Sequence, residues 1–108
     1  MDRACLHLLR RALLVGTQEL EALSSGQIEE AAAREEERGR LTQQAIELSG
    51  DTPLDELLVE FQQLCELQNR LTQAGNELRL NWQKEMARVR GESRRLTGYR
   101  QAAAHALN

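Results

Sequence analysis

The chain is poor in the residues that build sheets, metal centres and membrane spans. Val and Ile are scarce, and Phe, Trp and Tyr occur once each. Few β-branched and aromatic residues, set among abundant Leu, Ala, Glu, Gln and Arg, exclude a β-rich fold and favour helix throughout. A single Pro, Pro53, leaves long stretches without a helix breaker. The two cysteines, Cys5 and Cys65, form no CxxC and have no His at metal spacing. They read as reduced, half-buried small hydrophobes, with no metal and no cofactor expected. His7 and His105 lie at opposite ends of the chain, and no Gly-rich phosphate loop occurs. Without a nucleophile–base pair the chain is not expected to be an enzyme, and no catalytic residue is assigned. No stretch approaches the roughly 20 apolar residues of a membrane span. The amphipathic, Arg-bearing start MDRACLHLLRRALLVG resembles a presequence in part. Asp2, Glu19 and Glu21 fit that poorly, so it reads as half of a core helix in a cytoplasmic protein.

What is present is helical periodicity. The 108 residues make one small domain, expected to be all-α: an antiparallel bundle of three helices with a long third helix that, past about residue 90, either continues or gives way to a short turned-back fourth. The first helix is expected over about 2–23, capped by Asp2, with a seam of Leu6, Leu9, Leu13, Gly16, Leu20 and Leu23. Ser24-Ser25-Gly26 gives a turn, and Ser24 with Gln27 has the form of a capping box. The second helix, about 27–48, has a thin apolar face: Ile28, Ala31 or Ala32, Leu41, Ala45, Ile46 and Leu48. Its charged middle, Arg34 to Arg40, suggests a solvated face with Glu30–Arg34 and Glu36–Arg40 pairs, each contributing tenths of a kcal/mol. Ser49-Gly50-Asp51-Thr52-Pro53 then breaks the pattern: Gly50 suits a C-cap, Thr52 an N-cap and Pro53 a first turn.

From Pro53 onward the pattern is helical, over 53–90 with a C-terminal segment 91–106. Its seam runs Leu57, Phe61, Leu64, Gln68, Leu71, Gly75, Leu78, Trp82, Glu85, Val89, Glu92, Leu96, Tyr99, alternating fours and threes as in helices that pack on helices. Gly75 on this seam suggests a close helix approach, while Gly91 and Gly98 are expected break points. Two helices of about 33 Å cover roughly Leu54 to Leu78 of a third that, over 53–100, would reach about 70 Å. Trp82, Met86, Val89, Leu96 and Tyr99 lie beyond. The charge divides there too. Residues 79–100 hold seven bases and two acids, a balance of +5, and residues 19–66 hold three bases and thirteen acids, a balance of −10. Basic residues spread along a helix beside an acidic remainder read as a protein-facing surface, with no nucleic acid as partner. An amphipathic segment flanked by Arg suits a partner helix. A fold-back of 99–107 and a homodimer are the other two covers that the sequence allows.

Three stretches carry a family resemblance: LEALSSGQIEEAAAREEERGRLTQQ at 20–44, LCELQNRLTQAGNELR at 64–79 and RVRGESRRLTGYR at 88–100. A short Ser-Gly inter-helix turn, a Leu-x-x-x-Asn-like register (Leu64, Leu67, Asn69, Leu71) and a basic approach to a terminal Tyr resemble the flagellar type III export chaperones of the FliT and FlgN type. The resemblance spans nearly the whole chain. Its compact length leans toward the FliT-like branch, and RQAAAH after Tyr99 lacks the Gly-containing tail of FlgN-like members. The resemblance implies a cytoplasmic chaperone that binds a late flagellar structural protein, the filament cap or a hook–filament junction protein. It would prevent premature assembly and deliver the client to the export gate, helix in groove and without cofactor. Trp82, Met86, Val89, Leu96 and Tyr99 are the expected apolar contacts, with Arg88, Arg95 and Arg100 setting polarity and register. The alternative is a structural coiled coil that homodimerises through the same seam. A further reading is an adaptor whose C-terminal helix masks its own site.

Overall fold

Leu and Ala at helical spacing, interrupted at two turns, give three helices. In the computed structural model, which describes residues 3–50 and 52–107, α1 is Ala4–Ser24, α2 is Ile28–Leu48 and α3 is Leu54–Leu107. The bounds of α1 and α2 and the start of α3 lie within two residues of the expectation, whereas α3 runs past the expected end near residue 90. No strand occurs among the described residues. The chain divides into two units, Met1–Asn76 and Glu77–Asn108.

In the first unit, α1 and α2 are antiparallel. Cys5 packs with Ala45, and its thiol donates to the Ala45 carbonyl at 3.2 Å, while Glu19, further along α1, meets Arg38. The start of α3 runs the other way, parallel to α1. Leu57 joins Cys5 and Leu9, Arg10 lies 3.6 Å from Glu60, and Gly16 abuts Leu67. The core is thus an up-down-up arrangement with two joined layers: Cys5, Leu9, Ala45 and Leu57 in one, Ala12, Val15 and Leu41 in the other, with Leu8 and Leu64 packed against both.

The turn between α1 and α2 is closed by the backbone. Gly26 takes a φ of 73°, the left-handed conformation that glycine adopts without a Cβ penalty. Its N–H donates to the Leu23 carbonyl, and that of Gln27 to the Ala22 carbonyl at 2.8 Å. This pair of bonds is a Schellman motif, and it satisfies carbonyls that the helix end would otherwise orphan. The capping box expected at Ser24 therefore does not form. Ser24 is the last residue of α1, and Gln27 precedes α2 without a side-chain cap bond. The Asp2 cap lies outside the described residues. At the second turn Gly50 does not adopt positive φ. Instead the Ser49 hydroxyl donates to the Ile46 carbonyl at 2.7 Å.

The buried faces differ in detail from the expected seams. On α1 the buried residues are Cys5, Leu9, Ala12, Val15, Gly16, Glu19 and Ala22. Leu6, Leu13, Leu20 and Leu23 are only half-buried. On α2 only Ala31, Leu41 and Ala45 are buried, while Ile28, Ile46 and Leu48 are exposed. On α3 the buried residues are Leu57, Glu60, Leu67 and Leu71, with Gln68 exposed. The close approach is at Gly16 rather than Gly75. A Cβ on Gly16 would overlap Leu67 and come within 3.0 Å of Arg38 Cδ, whereas nothing lies within 4 Å of one on Gly75. Of the two cysteines, Cys5 is buried and Cys65 exposed.

The second unit is helix throughout its described residues, with α3 continuing to Leu107 without interruption. Gly91 and Gly98 do not break it, and among the described residues no fourth helix turns back. Each glycine costs about 1 kcal/mol relative to Ala, but a glycine alone does not stop a helix. Neither Pro nor a capping sequence follows either one.

Candidate functional site

Within the second unit the residues from Arg79 to Ala106 are exposed, apart from half-buried Gly91. Trp82 is 64%, Met86 52%, Val89 47%, Leu96 57% and Tyr99 72% exposed. The fold-back that would cover them is absent, because residues 99–106 continue the same helix and are themselves exposed.

Unbroken helix through Gly91 and Gly98 sorts the side chains into columns of seven-residue spacing. Trp82, Val89 and Leu96 form the central column. Glu85, Glu92 and Tyr99 lie beside it, and Arg88 and Arg95 lie beyond those. Met86, Ser93 and Arg100 line the opposite edge. All eight residues singled out from the sequence thus fall in four adjacent columns. Leu80, 48% exposed, lies on the far side of the helix, about 200° from Trp82, and belongs to no column of the face.

Two acids on an apolar face would repel an apolar partner, and the helix neutralises them internally. Arg88 donates to Glu92 Oε1 at 2.7 Å and also to a carboxylate oxygen of Glu85. The hydrogen bond from Arg88, reinforced by its charge, holds the Glu85 carboxyl below the usual range, and the guanidinium of Arg88 is held more firmly protonated in return. A carboxylate whose folded value is depressed contributes stability above its unfolded value and loses it as pH falls through the folded one. Glu85 is therefore expected to titrate below the ordinary carboxylate range in a carboxyl NMR titration, and Arg88→Ala to bring it back to that range. An unchanged Glu85 midpoint in Arg88→Ala would show that the clamp is not populated.

Arg88 is accordingly committed within its own helix. Arg79, Arg90, Arg94, Arg95 and Arg100 have no carboxylate partner among the described residues. The face is apolar along its centre, self-neutralised on one flank and positively charged around it.

In the first unit the ion pair Glu19–Arg38 was not foreseen. Arg38 Nε donates to Glu19 Oε1 at 2.8 Å, with the carboxylate side chain only 6% exposed. The charged middle of α2 is thus not wholly a solvated face. Glu30–Arg34 forms there at 3.0 Å, but Glu36–Arg40 does not. The overlooked signal was Gly16, three residues before Glu19, whose missing side chain makes room for the stem of Arg38.

Among the described residues no group of three or more His, Cys, Asp or Glu side chains is placed to hold a metal ion, and no helix is long and apolar enough to cross a membrane. Over its described residues the chain is all-helical, with three helices. No protein-family model, curated protein or solved structure matches it.

Proposed function

We propose that this chain is a helix-binding chaperone of the export type, docking a client helix on the distal face of α3. The observation that carries the reading is the column Trp82, Val89 and Leu96, with Met86 beside it, all about half exposed or more on one side of a regular helix. Exposed apolar side chains scattered singly are ordinary, but a contiguous set at seven-residue spacing marks an interaction face. Large aromatic and Arg residues, here Trp82, Tyr99, Arg95 and Arg100, are those most often found to dominate binding.

The resemblance to flagellar export chaperones supplies the biological setting of the proposal. The client is a late flagellar structural protein, the filament cap or a hook–filament junction protein, held from premature assembly in the cytoplasm and passed to the export gate, with Tyr99 as a gate contact. Pull-down from a flagellated host followed by mass spectrometry tests the client. Fluorescence titration tests the face. Emission of Trp82, the chain's one tryptophan, is expected to shift to the blue when a client helix is added. Because removal of Trp82 silences that signal, affinities of variants are read by calorimetry. Trp82→Ala is expected to weaken binding by roughly 30- to 700-fold, the equivalent of about 2–4 kcal/mol for an anchor residue, while Leu80→Ala leaves it within about twofold. Equal losses from the two would remove the face from the reading.

The seven-residue spacing also favours a second reading, a structural coiled coil in which the same face meets a second copy. Light scattering separates them: a permanent, concentration-independent dimer that buries Trp82 supports the structural reading, and a monomer whose Trp82 responds to client supports the chaperone.

A further inference from the structure

We infer that the occupant of the distal face is an amphipathic helix with acidic flanks, about 20 residues long, rather than a second copy of this chain. The inference rests on the helix-docking reading above and concerns the chemistry of the partner.

With Trp82, Val89 and Leu96 as one core column of a two-helix seam, the positions bordering the seam are Arg88 and Arg95 on one side and Arg79, Met86, Ser93 and Arg100 on the other. Bordering positions are where charges on paired helices meet and select partner and orientation. Arg88 is already neutralised by Glu85 and Glu92. Arg79, Arg95 and Arg100 have no carboxylate partner among the described residues. These charges are left for the occupant, and carboxylates on both of its flanks would meet them.

A second copy meets them badly. In a parallel, in-register pair the bordering residue on one helix faces the one about five residues further along on its neighbour. Arg95 of each copy would then face Arg100 of the other, twice over by symmetry. An antiparallel pair sets like flank against like flank and brings Arg79 of one copy together with Arg100 of the other. Either arrangement juxtaposes unneutralised guanidinium groups, so the charge pattern selects against self-pairing while admitting an acidic partner. The outward residues Lys84, Arg90 and Arg94 extend the positive field beyond the seam and would speed encounter with that partner.

The test uses the full chain and two designed peptides of about 21 residues. Both carry Leu in the core columns, and they differ only at the bordering positions, Glu in one and Lys in the other. The expected result is that the Glu-flanked peptide binds at least about tenfold more tightly, by Trp82 emission and calorimetry, with an affinity that falls as salt is raised. The double variant Arg95→Glu with Arg100→Glu, on an exposed helix surface where folding is not at stake, is expected to reverse the preference. Equal binding of both peptides would overturn the acidic-partner inference while leaving helix docking in place. Binding of neither peptide, together with a dimer of the free chain that buries Trp82, would overturn both.

Discussion

Leu57→Ala is expected to lower the stability of the folded chain by about 2–5 kcal/mol, and Leu96→Ala to change it by less than about 0.5 kcal/mol. Both leucines occupy the same helix and the same kind of seam position, so helix propensity does not separate them, and Ala is the better helix former in either case. Burial separates them. Leu57 is 2% exposed and packed against Cys5, Leu9 and Ala45, so its loss removes apolar contact and leaves a cavity among three helices. Leu96 is 57% exposed, and its truncation leaves no cavity. The expected fall for Leu57→Ala is about 4–8 °C in Tm per kcal/mol for a domain near this size. Guanidinium melts followed by far-UV circular dichroism, repeated at several protein concentrations, check the pair. Leu96→Ala is then expected to reappear as a loss of partner affinity. If both variants lose stability equally and the loss depends on concentration, the distal face is a dimer core in solution, and its assignment to a client fails.

The contrast between those two leucines also marks how far the sequence could be read. The three helices were legible because Ser24-Ser25-Gly26 and Ser49-Gly50-Asp51-Thr52-Pro53 punctuate an otherwise unbroken helical pattern. The division of the long helix into a covered and an exposed part was legible from lengths, because α1 and α2, at 21 residues each, span about 32 Å. The rotation of each buried face was not. The expected α1 seam holds at Leu9 and Gly16, but where it assigns Leu6, Leu13 and Leu20 the structure instead buries the smaller Cys5, Ala12 and Ala22. Close approach of helices favours small residues at the contact, and Leu then flanks the seam, a preference that periodicity counting by hydrophobicity overlooks. Gly75 and Gly16 occupy equivalent-looking seam positions, and only the placement of Leu67 and Arg38 decides which glycine is crowded. Of the candidate site, membership of one face was readable from seven-residue spacing, whereas the role of Arg88 was not. The sequence offers it to a partner, and the structure commits it to Glu85 and Glu92.

The second large effect is expected at the Glu19–Arg38 ion pair, which joins α1 to α2 in the interior. Arg38→Met keeps an unbranched stem over Gly16 but removes the guanidinium, leaving Glu19 as a buried carboxylate without its partner. The expected loss is about 2–3 kcal/mol, below the largest values for wholly buried pairs because the Arg38 side chain retains 18% exposure. Glu19→Met is expected to cost less, since the orphaned Arg38 can carry its charge toward solvent along a flexible stem. The double variant is expected to be more stable than Arg38→Met alone, because two apolar side chains then replace a pair whose desolvation offsets much of its attraction. Urea midpoints of the four proteins complete the cycle, and strict additivity would show that the two charges do not act on each other. The physical interest of the pair lies in register. A slip of α2 past α1 by seven residues in either direction would set Ala31 or Ala45 opposite Glu19. Both alanines share the buried face of α2 with Leu41, so apolar packing alone resists such a slip only weakly. A carboxylate that finds its cation in one register and an alanine methyl in the others makes the alternatives costly. The double variant is therefore expected to hold its stability while losing sharpness: broadened amide resonances along α1 and α2, and a shallower denaturant slope, where the parent chain unfolds steeply.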